Sequence, residues 1–221
     1  SHAQDAYGEG LILKAKQFGT AESKAWRHLL HFESGPLSWT EKSTVDAPEF
    51  FLSKDGKVDP SAELIATVRG IFNSEGRPEG KEIRCAFPAR YHFLKNELQI
   101  DEAKVPFAKC SEFEEWKQTL NVDSITLVYP SAYLNSPASM FGHTLLRLDA
   151  KGQSEETRLL AYGSSYAAAT TETSGLTFAF RGIFGMYKGV FSVQPYYKLV
   201  RDYSDIENRD IWEYQLNLSS E

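Results

Sequence analysis

Three serines and one histidine lie close together in the segment SAYLNSPASMFGH, which covers residues 131–143. One apolar run precedes this segment at 125–129 and another follows it at 144–148, and both runs predict buried strands. A histidine at the start of a strand can accept the proton of a nearby hydroxyl and activate it as a nucleophile. The sequence therefore predicts His143 as a general base, with Ser139 or Ser131 as the nucleophile or as polar support.

The same segment also has a purely structural interpretation. Serine, asparagine and proline between two strands are ordinary turn residues. A single histidine at a strand edge is commonly a hydrogen-bonded structural residue rather than a catalyst. Asp205, Glu207 or Asp210 is a candidate partner for orienting His143, but residue spacing alone does not pair them. The residues by themselves leave catalysis and structure as open alternatives.

Several classes of function are disfavoured by composition and motifs. The five histidines are scattered, and the sequence has no His-Glu-x-x-His, Cys-x-x-Cys, phosphate-loop or dinucleotide-binding motif. We therefore expect no metal and no cofactor. The formal charge of −6 disfavours nucleic acid, because binding to phosphates needs a basic face. The sequence has no apolar run of membrane-spanning length.

Helices are predicted in the first half of the chain. Apolar periodicity and capping residues indicate helices at about 21–32, from Pro60 to 72, at 87–98 and from Ser111 to 120. The last of these should bury a stripe formed by Phe113, Trp116 and Leu120.

Strands are predicted after residue 122. We expect them at about 124–130, 143–149, 157–165, 176–184, 189–195 and 210–218, with a hairpin turn at 149–152. Helices followed by strands predict an α+β fold, with a helical N-terminal half packed on a mainly antiparallel sheet. The regions would be 1–122 and 123–221, and together they would form one integrated domain.

Tyrosine and phenylalanine are unusually frequent between residues 162 and 203. These aromatic residues could simply fill a core, because aromatics are favoured in strands. They could instead form an apolar groove for an acyl chain or a peptide, with Phe178 and Phe184 among its walls. The predicted substrate contacts are Ser136, Arg147, Tyr162, Tyr166 and Tyr197.

Several segments together resemble one bacterial family, that of the Lnb N-terminal periplasmic domain, which is linked to lipoprotein N-acyltransferases. The resemblance rests on residues 50–60, 85–91, 139–147, 191–197 and 205–214. It implies a periplasmic location and a fold related to papain-like, NlpC-type enzymes. The two cysteines alone could be a chance pair or a disulfide, and the resemblance implies a Cys85–Cys110 disulfide.

The resemblance also implies a site and a set of partners. In the acyltransferase branch a cysteine is expected at the position that Ser131 occupies here, whereas Ser139 and His143 match the family pattern. The implied activity is acyl or amide transfer, or hydrolysis, with a serine in place of cysteine. The implied partners are a lipoprotein, a lipid or a cell-wall peptide, with membrane proximity supplied by segments outside this chain. The alternative is a non-catalytic periplasmic module that binds the same partners.

Overall fold

The computed structural model describes residues 2–33, 41–72, 82–131, 144–169, 188–200 and 210–218. The chain divides into two units, 1–113 and 114–221. The first is built mainly from helices and the second from an antiparallel sheet, which confirms the predicted α+β class. The papain-like core and the integration of the two regions into one domain stay predictions. None of the helices in the described ranges combines the length and the apolar character that a membrane span requires.

The N-terminal unit contains five helices and a small hairpin among its described residues. The helices are α1 (His2–Phe18), α2 (Lys24–Leu29), α3 (Pro60–Phe72), α4 (Ile83–Ala86) and α5 (Pro88–Leu98). Strands β1 (Phe32–Glu33) and β2 (Lys42–Ser43) pair antiparallel. Their core surrounds the fully buried Trp26 and combines residues from α1, α2, α3 and α5. Short 3-10 turns occur at Thr20–Glu22, Pro48–Phe50 and Glu102–Lys104.

The helix starts follow their capping residues. The carboxylate of Asp59 accepts hydrogen bonds from the backbone N–H groups of Ser61 and Ala62, and α3 therefore begins at Pro60. The helix predicted at 21–32 is instead a 3-10 turn followed by α2, because Ser23 interrupts it and caps the shorter helix through the N–H of Trp26.

Helix α6 (Ser111–Leu120) begins and ends as predicted, but its stripe is not buried as predicted. Leu120 is buried, whereas Trp116 is 49% exposed and Phe113 is only partly buried. Helical periodicity identifies which residues share a face of a helix, but it does not show whether a neighbouring element covers that face.

The C-terminal unit contains a five-stranded antiparallel sheet with the strand order β6-β5-β4-β3-β7. Its strands are β3 (Val122–Pro130), β4 (Leu145–Ala150), β5 (Tyr162–Ala169), β6 (Lys188–Pro195) and β7 (Ile211–Leu216). A short helix, α7 (Tyr196–Val200), packs on one face of the sheet, where Leu199 closely approaches Gly163. The strand predicted at 176–184 lies outside the described residues.

The connection after β4 differs from the predicted hairpin. Gly152 has a φ of +75°, so a turn does form near 149–152. Residues 151–161 then form a longer connection that includes a 3-10 turn at Arg158–Leu160, and β5 begins only at Tyr162. Side-chain hydrogen bonds of Gln153 and Thr157 stabilise this connection locally. Neither residue type marks the end of a strand in the way that glycine or proline does, so the sequence did not predict the later start of β5.

The predicted Cys85–Cys110 disulfide is confirmed, with an S–S distance of 1.99 Å. It joins α4 to the residue that precedes α6 and closes a loop with a sequence separation of 25. A covalent link across a loop of this length removes conformational freedom mainly from the unfolded chain.

Reduction of this disulfide should lower the free energy of unfolding by about 3–4 kcal/mol. The measurement is urea unfolding with and without reductant, with the double variant Cys85→Ala/Cys110→Ala as the control that reductant should not affect. Alkylation without reductant should modify neither cysteine. Two alkylated thiols in the oxidatively folded protein would contradict the prediction.

Candidate functional site

One end of the C-terminal sheet gathers the residues that flank the predicted catalytic segment. Because neighbouring strands are antiparallel, the last residues of β3 and the first residues of β4 and β7 lie at the same end of the sheet. Ser131 follows β3, Thr144 precedes β4 and Asp210 precedes β7. We call this end, where Ser131, Thr144 and Asp210 lie, the serine end of the sheet.

Ser131 and Asp210 meet directly at the serine end. The backbone N–H of Ser131 donates a hydrogen bond to the carbonyl oxygen of Asp210 over 2.8 Å. Ser131 is partly exposed and the Asp210 side chain is exposed. Of the acidic residues proposed to orient the histidine, Asp210 is therefore a neighbour of the position at which the acyltransferase branch has its cysteine.

The other predicted catalytic residues cannot be placed in the same way. Ser136, Ser139 and His143 lie outside the described residues, as do Asp205, Glu207, Phe178 and Phe184. In the sequence His143 directly precedes Thr144, the described residue that leads into β4. The pairing of His143 with a serine hydroxyl stays a prediction.

Four aromatic side chains form a row across the sheet at the serine end. Tyr129 of β3 pairs with Trp212 of β7, and Tyr166 of β5 pairs with Phe191 of β6. Extending the β3–β4 and β4–β5 registers by one residue places Thr144 between the two pairs. We call these four residues the aromatic row, and their exposed fractions range from 39% for Tyr129 to 58% for Phe191.

The conformation of Tyr166 depends on a glycine. Its ring lies 4.6 Å from that of Phe191, centre to centre, and its hydroxyl crosses the position that a Cβ atom at residue 189 would occupy. Gly189 therefore leaves room for the aromatic row at the β6 edge of the sheet. A larger residue at 189 would force Tyr166 out of the row.

The face that carries the aromatic row is uncharged. This holds for the described strand residues whose side chains alternate regularly between the two faces. Side chains alternate between the two faces of a strand, so the register assigns fourteen residues to this face besides Val122, Ala150 and Gly189. They are Ile125, Leu127, Tyr129, Leu146, Leu148, Tyr162, Ser164, Tyr166, Phe191, Val193, Pro195, Trp212, Tyr214 and Leu216. Exposed apolar surfaces of this kind mark binding sites for apolar ligands or partners.

The opposite face of the sheet carries a network of ion pairs centred on Arg147. Its Nε donates to Asp149 Oδ1 over 2.6 Å, and Asp149 Oδ2 accepts from the Thr126 hydroxyl, also over 2.6 Å. Arg147 Nη1 lies 2.7 Å from Glu213 Oε1, an ion-pair contact at an angle outside hydrogen-bonding geometry. These contacts connect β4 to β3 and, across β3, to β7.

The predicted substrate contact at Arg147 would require a ligand on this opposite face. The guanidinium borders a polar cavity of about 450 Å³, which is also lined by Asp149, Arg158, Glu213 and Gln215. Burial lowers the pKa of Arg147, but its contacts with Asp149 and Glu213 outweigh burial and the net shift is upward. The guanidinium is thus a permanent cation that already serves two carboxylates.

The three predicted tyrosine contacts divide between different surfaces. Tyr162 and Tyr166 share the face of the aromatic row, with Tyr162 four residues further from the serine end. Tyr197 is 47% exposed on α7, whose residues Tyr196 and Leu199 pack against the opposite face. The structure therefore brings Tyr162 and Tyr166 together but does not bring Tyr197 to the same face.

Tyr196 joins the network beneath α7. Its hydroxyl donates to Glu213 Oε1 over 3.0 Å, and its ring lies 5.2 Å from the Arg147 guanidinium. Burial and the negative charge of Glu213 raise the pKa of Tyr196 to about 12. The folded protein therefore keeps this phenol protonated at pH values where an exposed tyrosine ionises.

The stability of the C-terminal unit should fall by about 2–3 kcal/mol as the pH rises from about 10 to about 12. The stabilisation from Tyr196 is complete below the pKa of this tyrosine in the unfolded chain and disappears as the pH passes its raised pKa in the folded state. Between these two pH values only the unfolded chain loses the phenol proton. Urea unfolding across this pH range measures the loss. Tyr196→Phe should remove most of this decline, whereas the exposed neighbour variant Tyr197→Phe should retain it; equal declines in all three proteins would contradict the assignment.

The described residues contain no group of three or more His, Cys, Asp or Glu side chains that could hold a metal ion. Sequence reasoning named Asp210, and its aromatic stretch at 162–203 included Tyr166 and Phe191, but it missed Tyr129 and Trp212 as members of a shared surface. Alternation could not identify them, because β3 is apolar on both faces and only the strand register shows which residues are neighbours.

The architecture defines the C-terminal unit as an antiparallel sheet domain of the α+β class. Its serine end is polar, and the aromatic row at that end lies on an apolar face of the sheet. Residues 112–221 match the family model of the Lnb N-terminal periplasmic domain, and this part of the chain belongs to that family. It is accordingly a periplasmic domain. Residues 19–97 match a second family model, described as a domain of unknown function (DUF7843).

The two matches follow the two units of the structure. The N-terminal motifs at 50–60 and 85–91, which carried part of the resemblance in the sequence, fall within the second family and not within the Lnb match. No curated protein and no solved structure gives a match to this chain.

Proposed function

We propose that the C-terminal unit is a periplasmic acyl or amide transferase or hydrolase that uses a serine in place of the family's cysteine. His143 is the general base, and Ser131 or Ser139 is the nucleophile. The observation that carries the proposal is the backbone hydrogen bond between Ser131 and Asp210 at the serine end. Thr144, which follows His143 in the sequence, lies at the same end of the sheet.

The chemistry requires a base that is held in place. The hydroxyl oxygen attacks the carbonyl carbon of an ester, thioester or amide while His143 accepts the hydroxyl proton. The imidazolium then returns that proton to the leaving group, and the acyl group stays on the serine until water or an amine removes it. A serine depends on its base more than a cysteine does, so a third group is needed, and Asp210 is the described acid whose backbone is hydrogen-bonded to that of Ser131.

The aromatic row supports a substrate with a substantial apolar part. Its four rings are exposed on a face without charged side chains among the described strand residues, and they lie at the same end of the sheet as Ser131. A lipoprotein N-terminus or a lipid offers hydrocarbon to such a surface, and a cell-wall peptide offers carbonyl groups to the serine end.

The alternative function is a non-catalytic module that binds the same partners. It is favoured by the absence of the thiol that the acyltransferase branch has at position 131, since the aromatic face could bind an apolar partner without any reaction.

A fluorophosphonate probe separates the two functions. The catalytic proposal expects covalent labelling of the folded protein at one serine, found by peptide mass spectrometry at Ser131 or Ser139. Heat-denatured protein is the control and should not be labelled. A folded protein that remains unlabelled but binds acylated peptides would establish the binding module instead.

A further inference from the structure

Strand β7 forms one edge of the C-terminal sheet. It pairs with β3 on one side, and none of the described strands lies on its other side. The backbone N–H of Ser131 donates to the carbonyl oxygen of Asp210, so these two residues form a hydrogen-bonded pair of the antiparallel ladder. Hydrogen-bonded and non-hydrogen-bonded pairs alternate along such a ladder. The backbone N–H and C=O groups of Ile211, Glu213 and Gln215 therefore point away from β3.

This edge lacks the features that usually prevent a strand from pairing with another chain. Those features are lysine, proline and β-bulges. The sequence Ile211-Trp-Glu-Tyr-Gln-Leu216 contains neither lysine nor proline, and its register with β3 is regular. Its one charged side chain, Glu213, is directed onto the face opposite the aromatic row, where Oε1 contacts Arg147 and Tyr196 over 2.7 and 3.0 Å. The edge is therefore open to a further strand.

The two faces of the sheet beside β7 differ in chemistry. Trp212 and Tyr214 are 57% and 55% exposed, and both lie on the uncharged face. Glu213 and Gln215 border the polar cavity on the other face. A strand added beside β7 would therefore place every second side chain against aromatic rings and the remaining side chains against polar groups.

We propose that the β7 edge binds an extended polypeptide segment of a partner protein as an added strand. The outward backbone groups of β7 offer a donor and an acceptor at every second residue. An extended polypeptide is the class of ligand whose own N–H and C=O groups repeat at that spacing, whereas a lipid or a glycan has no such repeat. The segment alternates between apolar side chains, which face Trp212 and Tyr214, and polar side chains.

A second copy of this chain fits the edge less well. When two β7 strands pair antiparallel, the register that uses all the outward groups places Ile211 opposite Gln215 and Glu213 opposite the same residue of the other copy. Like charges directly opposite each other destabilise a sheet. A segment without an acid at this position avoids the repulsion, so the edge suits a different polypeptide.

The bound segment would reach the serine end of the sheet. Strand β7 begins directly after Asp210, whose carbonyl oxygen accepts from Ser131. One end of an added strand therefore lies beside these two residues. This position suits the proposed reaction at a carbonyl group, but the binding does not depend on that reaction.

Peptide binding tests this proposal without a catalytic readout. The probe is an array of acetylated decapeptides of random sequence, incubated with the full chain. We expect the strongest binders to have apolar residues at alternate positions. Gln215→Pro removes an outward N–H that β3 does not use, so it should leave the sheet folded and weaken binding of the best decapeptide about tenfold. Gln215→Ala is the matched control, because it removes the same side chain but keeps the N–H, and it should bind like the unchanged protein.

Methylation of the peptide backbone tests the contact from the other side. N-methyl groups at one alternate set of amides should abolish binding and those at the other set should be tolerated, because only one edge of an added strand faces β7. The proposal is wrong if no decapeptide binds, if Gln215→Pro binds as well as Gln215→Ala, or if the two methylated sets bind equally. A dimer in sedimentation velocity that Gln215→Pro converts to a monomer, without peptide binding, would assign the edge to a second copy instead. The far-ultraviolet circular dichroism of each variant verifies that it is folded.

Discussion

Replacing Arg90 with methionine should destabilise the N-terminal unit by about 3–5 kcal/mol. Arg90 and Glu63 form an ion pair whose side chains are 3% and 0% exposed, with 2.6 Å between Arg90 Nη1 and Glu63 Oε1. Removing the cation leaves a buried carboxylate without its counter-charge, and that carboxylate cannot reach water.

The pair also fixes a loop, which increases the expected effect. Glu63 accepts hydrogen bonds from the backbone N–H groups of Leu52 and Ser53 over 2.9 and 2.8 Å, and Arg90 donates to the carbonyl oxygen of Phe50 over 2.7 Å. A Cβ atom at Gly56 would collide with Glu63 Oε2, so the loop closes over the carboxylate only with glycine there. Burial lowers the pKa of Arg90 while Glu63 opposes this shift.

Urea unfolding followed by peptide-level hydrogen exchange measures the effect and assigns it to the N-terminal unit. Arg69→Met is the control, because Arg69 pairs with Glu9 at the surface and should cost less than about 1 kcal/mol. The double variant Glu63→Met/Arg90→Met should be more stable than Arg90→Met alone, since it leaves no uncompensated charge. Equal losses for Arg69→Met and Arg90→Met would contradict the structural role of the buried pair.

In the N-terminal unit the sequence predicted the helices but not the buried ion pair between Glu63 and Arg90. Apolar periodicity located α3 and α5 closely, and Leu64, Val68 and Ile71 are buried as their spacing indicates. Glu63 occupies the same buried face, but a glutamate beside an apolar stripe is normally a surface residue. Its partner lies 27 residues away, and no local pattern joins the two positions.

Helix α1 was missed for a different reason. Gly8 and Gly10 lower its intrinsic helix propensity, and its described buried side chains reduce to a short cluster at Leu11, Ile12 and Ala15. The helix forms because it packs against α3, where Gly8 leaves room for Phe72 and the ring of Tyr7 lies 5.5 Å from that of Phe72, centre to centre. Tertiary contact thus overrides a weak local signal.

At the candidate site the strands were predictable but their neighbours were not. Five predicted strands correspond to β3–β7, although β5 begins later than expected. The placement of β7 beside β3 is a long-range choice of sheet order, and this choice brings Asp210 to Ser131 and Trp212 to Tyr129. Residue patterns therefore indicate which segments carry chemistry, whereas strand order determines which of them meet.

His143→Ala should lower the rate of fluorophosphonate labelling by about 10²–10⁴, the usual contribution of a general base. The reactive serine should show a loss at least as large when it is changed to alanine. We expect that serine to be Ser131, because its backbone is fixed by Asp210 at the end of β3. Asp210→Asn should give a smaller loss, since this substitution keeps the backbone contact and removes only the charge that would orient the base.

Two matched variants separate chemistry from folding in this experiment. His92→Ala removes an exposed histidine of α5, and Ser154→Ala removes an exposed turn serine, so neither should change the labelling rate. If Ser139→Ala abolishes labelling and Ser131→Ala does not, Ser139 is the nucleophile and Ser131 only occupies the family's cysteine position. If His143→Ala is labelled at the unchanged rate while the fold survives, His143 is structural. The reactive serine would then be activated by a group other than His143, and the general-base role proposed for His143 would be wrong.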